Sequence, residues 1–163
     1  MKLLICLMTL LGLGSLSAVH ASQDGEVTLK LIETSDVHGC YFPYDFIRNK
    51  PMKGSLARVS SYVKEQREKY ENVILMDNGD ILQGQPVAYY YNYMDTISEH
   101  VCAAMLNYMK YDVGTMGNHD VETGHAVYDR WVRQCNFPVL GANIVDNKTE
   151  KPYLPPYQVI EKE

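Results

Sequence analysis

Asp36-Val37-His38-Gly39, Gly79-Asp80 and Gly117-Asn118-His119-Asp120 hold residue types that bind divalent metal ions, and each stands directly after a strand-like run. Carboxylate oxygen, amide oxygen and neutral imidazole nitrogen suit the ions of phosphoester chemistry. Asp36 and His38, two apart, point to the same side if the backbone is extended, and can then share one ion. Asp80 has two oxygens and can bridge two ions, while Asn118 offers a neutral oxygen without adding charge. A pair of ions held this way acidifies a bridging water and clamps a phosphate under attack. His119, beside a ligand, is free to face the leaving oxygen. It needs a carboxylate to hold its ring protonated, and Asp120 and Glu122 are at hand. Each stretch alone reads as a turn or a helix cap; their order, each behind a strand, points to a dinuclear site.

For the stretches to converge, their strands must lie parallel in one sheet, with the residues past the C-terminal ends gathered in one crevice. The chain supplies such strands. Val27 to Thr34 alternates as a first strand, and Val73-Ile74-Leu75-Met76 is the continuous apolar run of a buried parallel strand. Asp112 to Met116 and Val139 to Ala142 read as a third and a fourth, and Tyr157 to Ile160 as a fifth. Between them, helices are expected from Gly54-Ser55, with Ser55 as N-cap and Leu56, Val59 and Val63 on the buried face, then from Ser98 to Met109, and from Gly124 to Cys135. On the second helix Val101, Met105 and Met109 form the expected buried stripe; on the third, Val127 and Trp131 point inward. Strands alternating with helices make this an α/β chain of βαβ units around a mostly parallel sheet.

Length and charge narrow the class. The 163 residues suit one domain with a sizeable core. Leu3 to Leu13 is an apolar run behind Lys2, and the segment ends in Val19-His20-Ala21, so residues 1–21 read as a signal peptide cleaved after Ala21. No segment reaches the roughly 20 apolar residues of a membrane span, and the mature chain, residues 22–163, is expected to be exported to the periplasm or beyond. Cleavage removes one of the 15 basic residues and none of the 20 acidic ones, so the mature chain is more acidic still, and no Lys/Arg cluster offers a surface to nucleic acid. Cys40, Cys102 and Cys135 remain, none in C-x-x-C spacing; Cys102 and Cys135 read as small buried residues on helices. His100 reads as a surface residue opposite the apolar stripe, and His125 as exposed or capping. Tyr89-Tyr90-Tyr91 with Tyr93 reads as loop packing, and Gln83 and Gly84 as shaping the loop behind Asp80.

Together the D-x-H, G-D and G-N-H-[DE] motifs resemble those of the calcineurin-like metallophosphoesterases. More narrowly, Gly79-Asp80-Ile81-Leu82-Gln83-Gly84 and the stretch Gly117 to Glu122 resemble the 5′-nucleotidase family, which includes 2′,3′-cyclic-nucleotide 2′-phosphodiesterases and 3′-nucleotidases. Gly54 through Arg58 and Gly141-Ala142-Asn143-Ile144 fit the same pattern, so the likeness runs from about Val27 to the end. The resemblance implies a layered α-β-β-α domain and two divalent ions (Mn, Zn, Co, Ca or Mg). By it Asp36 and His38 bind one ion, Asp80 bridges, and Asn118 binds the other. His119 forms the catalytic dyad with Glu122, three residues on, and Asp120 holds the acidic position of the motif as a further catalytic candidate. The implied substrate is a nucleotide phosphoester, hydrolysed by a metal-bridged hydroxide. The family plan also has ligands further on, a lone His and a G-H-x-[HQN] motif, followed by a substrate domain. Here the histidines end at His125 and no G-H-x-H occurs. The resemblance therefore implies the N-terminal half of the catalytic domain, and the alternative is a non-catalytic fragment that binds metal weakly or not at all.

Overall fold

The computed structural model describes residues 27–162; the expected leader lies outside them. Four parallel strands form the central sheet: β1 (Leu29–Thr34), β4 (Asn72–Asp77), β5 (Val113–Thr115) and β6 (Val139–Leu140), in that spatial order. Between β1 and β4 the chain makes a two-stranded antiparallel ribbon, β2 (Tyr44–Asp45) with β3 (Lys50–Pro51), and then helix α1 (Leu56–Lys69). After β4 come α2 (Pro86–Tyr89), a π-helical turn over Tyr90–Met94, and α3 (Val101–Met109). After β5 come the short α4 (Asn118–Glu122) and α5 (His125–Gln134).

Helices α1, α3 and α5 pack side by side, with α1 also lying against β4. Ser55 caps α1 as expected, its hydroxyl accepting from the Arg58 N–H at 3.3 Å. Arg67, in the last turn of α1, reaches across to the open C-terminus of α3 and donates to the Met109 and Lys110 carbonyls at 2.5 and 2.7 Å. The core between helices and sheet is built on Trp131, Leu56, Leu75 and Leu106, with Tyr41, Ile81 and Leu82 extending it under the strand ends.

Several expectations are corrected here. Helix α3 starts at Val101 rather than Ser98, and its buried side is Cys102, Ala103, Leu106 and Met109, with Val101 and Met105 at its margin. His100 is not on the surface: it is fully buried as the α3 N-cap. Tyr157 to Ile160 forms no strand; among the described residues no neighbour offers it a ladder, and Tyr157 and Val159 stay 74% and 66% exposed. The Tyr89–Tyr93 segment is helical and π-helical rather than a loop. Cys102 is buried and Cys135 caps α5, neither in a disulfide. Among the described residues, no helix is long and apolar enough to cross a membrane.

Candidate metal centre

All three motif stretches leave the C-terminal ends of adjacent strands: Ser35-Asp36 follows β1, Asn78-Gly79-Asp80 follows β4, and Met116-Gly117 follows β5. The parallel sheet thus delivers them to one edge, and their backbones are then fastened to one another. The Asp36, His38 and Gly39 amides donate to the Gly79, Asp80 and Ile81 carbonyls at 3.0, 3.0 and 3.3 Å. The His38 carbonyl accepts from Gln85 N–H at 3.1 Å. Where the loops after β4 and β5 meet, only glycine fits: a Cβ on Gly79 would lie 2.3 Å from Gly117 N, and one on Gly117 would lie 2.1 Å from Asp80 Oδ1.

Asp36, His38 and Asp80 all have left-handed backbone, with φ of 53°, 47° and 57°. Asp36 and His38 therefore do not point together out of extended backbone as expected; they converge from a tight turn, with Asp36 Oδ1 3.8 Å from His38 Nε2. Non-glycine residues in this region are uncommon, and each costs on the order of 1–3 kcal/mol unless the surroundings hold it. Three such residues among four expected ligands mark a place where backbone comfort yields to side-chain placement.

The result is a cluster: ligand atoms of His38, Asp80 and His119 lie within 4.8 Å of one another. The His38 and His119 rings meet edge to face at 5.3 Å. Asp36 stands at the rim, 65% exposed, its carboxylate bonded by the Ser35 hydroxyl. Asn118, exposed, opens α4. Two imidazoles and a carboxylate form a mixed N/O donor set that fits a divalent metal ion. The structure thus brings His38, Asp80 and His119 together, with Asp36 alongside.

His119 sits in a second set of contacts. Its Nδ1 is 2.9 Å from Glu122 Oε2, and Gln83 Nε2 donates to that same oxygen at 3.2 Å. The hydrogen bond with Glu122 raises the imidazole pKa above its ordinary value, and by the same bond the carboxylate is held low. Asp80 Oδ1 accepts from the His119 backbone N–H at 2.9 Å, so carboxylate and imidazole are tied through the main chain as well.

Asp120 lies elsewhere. It is fully buried, and its two oxygens accept from four backbone amides: Oδ2 from Asp80 and Gly117 at 2.8 and 3.0 Å, Oδ1 from Ile81 and Leu82 at 2.9 and 2.8 Å. Burial raises its pKa, and these amides oppose the rise. Beneath the loops Asp77 is also buried, with Thr34 Oγ1 donating to it at 2.6 Å and Gly79 N at 3.0 Å; burial pushes it up to about 6. Asp77 carries no motif and no sequence signal of a site role.

Comparison with known proteins agrees with this architecture. The calcineurin-like phosphoesterase pattern matches residues 29–160. A 2′,3′-cyclic-nucleotide 2′-phosphodiesterase/3′-nucleotidase of Haemophilus influenzae is 33% identical over 158 residues, covering 94% of this chain and 24% of that protein. The calcineurin-like phosphoesterase YfkN of Bacillus subtilis superposes with a TM-score of 0.75 at 31% identity, over 82% of this chain and 42% of that one. A putative 5′-nucleotidase of Staphylococcus aureus superposes with a TM-score of 0.64 at 33% identity, over 75% of this chain and 24% of that one. The chain spans a quarter or less of the length of the first curated relatives it matches. The family pattern spans nearly every described residue and the parallel sheet superposes on a solved member, so the chain belongs to the calcineurin-like phosphoesterase family.

Proposed function

We propose that this chain is the N-terminal part of the catalytic domain of an exported, metal-dependent phosphoesterase acting on nucleotides. The type is a 5′-nucleotidase or a 2′,3′-cyclic-nucleotide 2′-phosphodiesterase/3′-nucleotidase, the activities for which its relatives are named. The observation that carries the reading is the joining of three strand-end loops so that His38, Asp80 and His119 present ligand atoms within 4.8 Å. Export rests on the leader-like residues 1–21.

Asp36 and His38 would hold one ion, Asp80 would lie between two, and Asn118 would serve the second. Bound divalent ions supply an acidified water and neutralise phosphate charge. The protein's own contribution is placement and one proton. Glu122 takes Nδ1 of His119, which leaves Nε2 for either a metal or a substrate oxygen. Because the Glu122 bond favours the protonated ring, proton donation to the leaving alkoxide is the better use. Asp120, with its oxygens committed to four amides, holds the loops rather than the substrate.

The test is metal uptake and turnover together. Purified mature chain is loaded with Mn2+, its metal content measured, and hydrolysis of bis(p-nitrophenyl) phosphate followed. Metal bound at the cluster with turnover that Asp80→Asn abolishes supports the reading; turnover and metal content unchanged in Asp80→Asn overturn the bridging role. A second reading, a chain that binds metal without turnover by itself, is favoured by the small donor set: among the described residues only this one cluster of His, Cys, Asp and Glu is found. Metal uptake with no hydrolysis selects it.

A further inference from the structure

The loop carrying Asp80 runs from Asn78 to Gln85 with no regular secondary structure, yet Ile81 and Leu82 are fully buried. Buried main-chain groups need partners. Most partners come from the crevice itself: the amides of Asp80, Ile81 and Leu82 go to Asp120, and the carbonyls of Gly79, Asp80 and Ile81 go to the Asp36–Gly39 turn. Tyr41 adds its hydroxyl to the Ile81 carbonyl at 2.9 Å. The Leu82 carbonyl is different. Its partner is Asn92 Nδ2 at 2.7 Å, from the π-helical turn, and Asn92 is itself 97% withdrawn from solvent, with an exposure of 3%.

Asn92 can serve Leu82 only with its amide nitrogen turned that way; flipped, it would set oxygen against oxygen. The orientation is set by His100, which is fully buried and whose Nε2 lies 2.8 Å from Asn92 Oδ1. Nδ1 of His100 is already committed as the acceptor of the Cys102 N–H at 3.2 Å, capping α3. With Nδ1 an acceptor, the neutral ring carries its proton on Nε2 and donates to Asn92 Oδ1. Each bond determines the next: Cys102 N–H to His100, His100 to Asn92, Asn92 to the Leu82 carbonyl.

We propose that His100 is a positioning residue for the metal centre, acting through Asn92 to hold the Leu82 carbonyl and thereby the Gly79–Gln83 loop that presents Asp80. This deepens the function proposed above and rests on it for the role of Asp80 as a ligand. The device ties the ligand-bearing loop to the α3 N-terminus, outside the crevice, so the loop does not depend on metal to keep its shape. A merely structural role would be helix capping alone.

Two conservative variants separate the roles. In His100→Gln the side-chain amide nitrogen reaches the place of Nε2 and keeps the Asn92 contact, but the short-range cap is lost. In His100→Asn the side-chain oxygen can still cap α3, but cannot reach Asn92. Binding of Co2+ to the whole chain is titrated by its visible absorption, and exchange of the Asp80–Gln83 amides is followed by NMR. The expected result is Co2+ affinity about tenfold weaker in His100→Asn, the scale for removing a group that orients a ligand, with faster amide exchange in the loop. His100→Gln should keep near wild-type values for both despite a lower melting temperature. The reverse ordering, or equal affinity and loop exchange in all three proteins, overturns the proposal. If the wild-type chain takes up no Co2+, the metal reading fails; the ordering of loop exchange then decides by itself whether His100 holds the loop.

Discussion

The hydrogen bond between His119 and Glu122 joins an imidazole of the candidate metal centre to a carboxylate. It raises the His119 pKa, so the charged ring persists to higher pH than a free histidine. Removing the carboxylate's charge with Glu122→Gln should bring that pKa down toward the ordinary histidine value. An NMR titration of the ring protons checks this, and in an active protein the alkaline limb of the rate profile should move to lower pH with it. An unchanged titration would assign the shift to Asp80 and Asp120 instead. His100 is the opposite case, a histidine whose pKa falls to about 4 through burial and the nearby Arg130 charge. Its unfolded form titrates near 6.5, so below that pH the unfolded chain takes up a proton that the folded one refuses. Stability is therefore lost as pH falls from about 6.5 to 4, by on the order of 3 kcal/mol. Because Asp77, pushed up to about 6, gains stability over the same range in both proteins, urea unfolding at the two pH values should show the wild type losing about 3 kcal/mol relative to His100→Gln.

Among the elements, the loops past β4 and β5 behave as one piece because Asp120 and two glycines join them. Asp120→Ala would leave the buried Ile81 and Leu82 amides without acceptors, each such loss costing about 1–3 kcal/mol. A destabilisation of about 2–6 kcal/mol in urea unfolding is expected; a value near zero would mean that water replaces the carboxylate. Gly79→Ala should do comparable damage by another route, since its φ of +87° disfavours a side chain and its Cβ would meet the Gly117 backbone. For that variant the informative measurement is metal affinity, which should fall along with the melting temperature as the Asp80 and His119 loops are pushed apart. These loops could be placed at strand ends from their motifs. That Asp120 fastens them could not be seen, because three of its four partners are backbone amides some forty residues away. The boundary of α3 was missed for a similar reason: the apolar periodicity from Ser98 onward hides a histidine cap whose role exists only once Cys102 N–H points at its ring.

At the scale of the whole molecule, the sheet is finished on one face and open on part of the other. Ile32 and Thr34 of β1 are buried, whereas Leu29 and Leu31 are 47% and 58% exposed on an edge strand whose outer side is unpaired among the described residues. An apolar edge of this kind invites association. Leu29→Thr with Leu31→Thr should leave the unfolding free energy within about 0.5 kcal/mol of wild type, the usual limit for exposed sites. It should shift the purified chain toward monomer in sedimentation or size exclusion; unchanged association would place the sticky surface elsewhere.

The sequence by itself determined the α/β class, the placing of each motif behind a strand, the Ser55 cap and the candidate metal-binding residues. These depend on local periodicity and on residue chemistry, which a chain displays without folding. Only the tertiary structure decided which of those residues meet, that three expected ligands adopt left-handed backbone, and that His100 and Asp120 are buried supports. Such outcomes depend on which distant backbone groups burial leaves in need of a partner, and that need arises only when the strands are side by side.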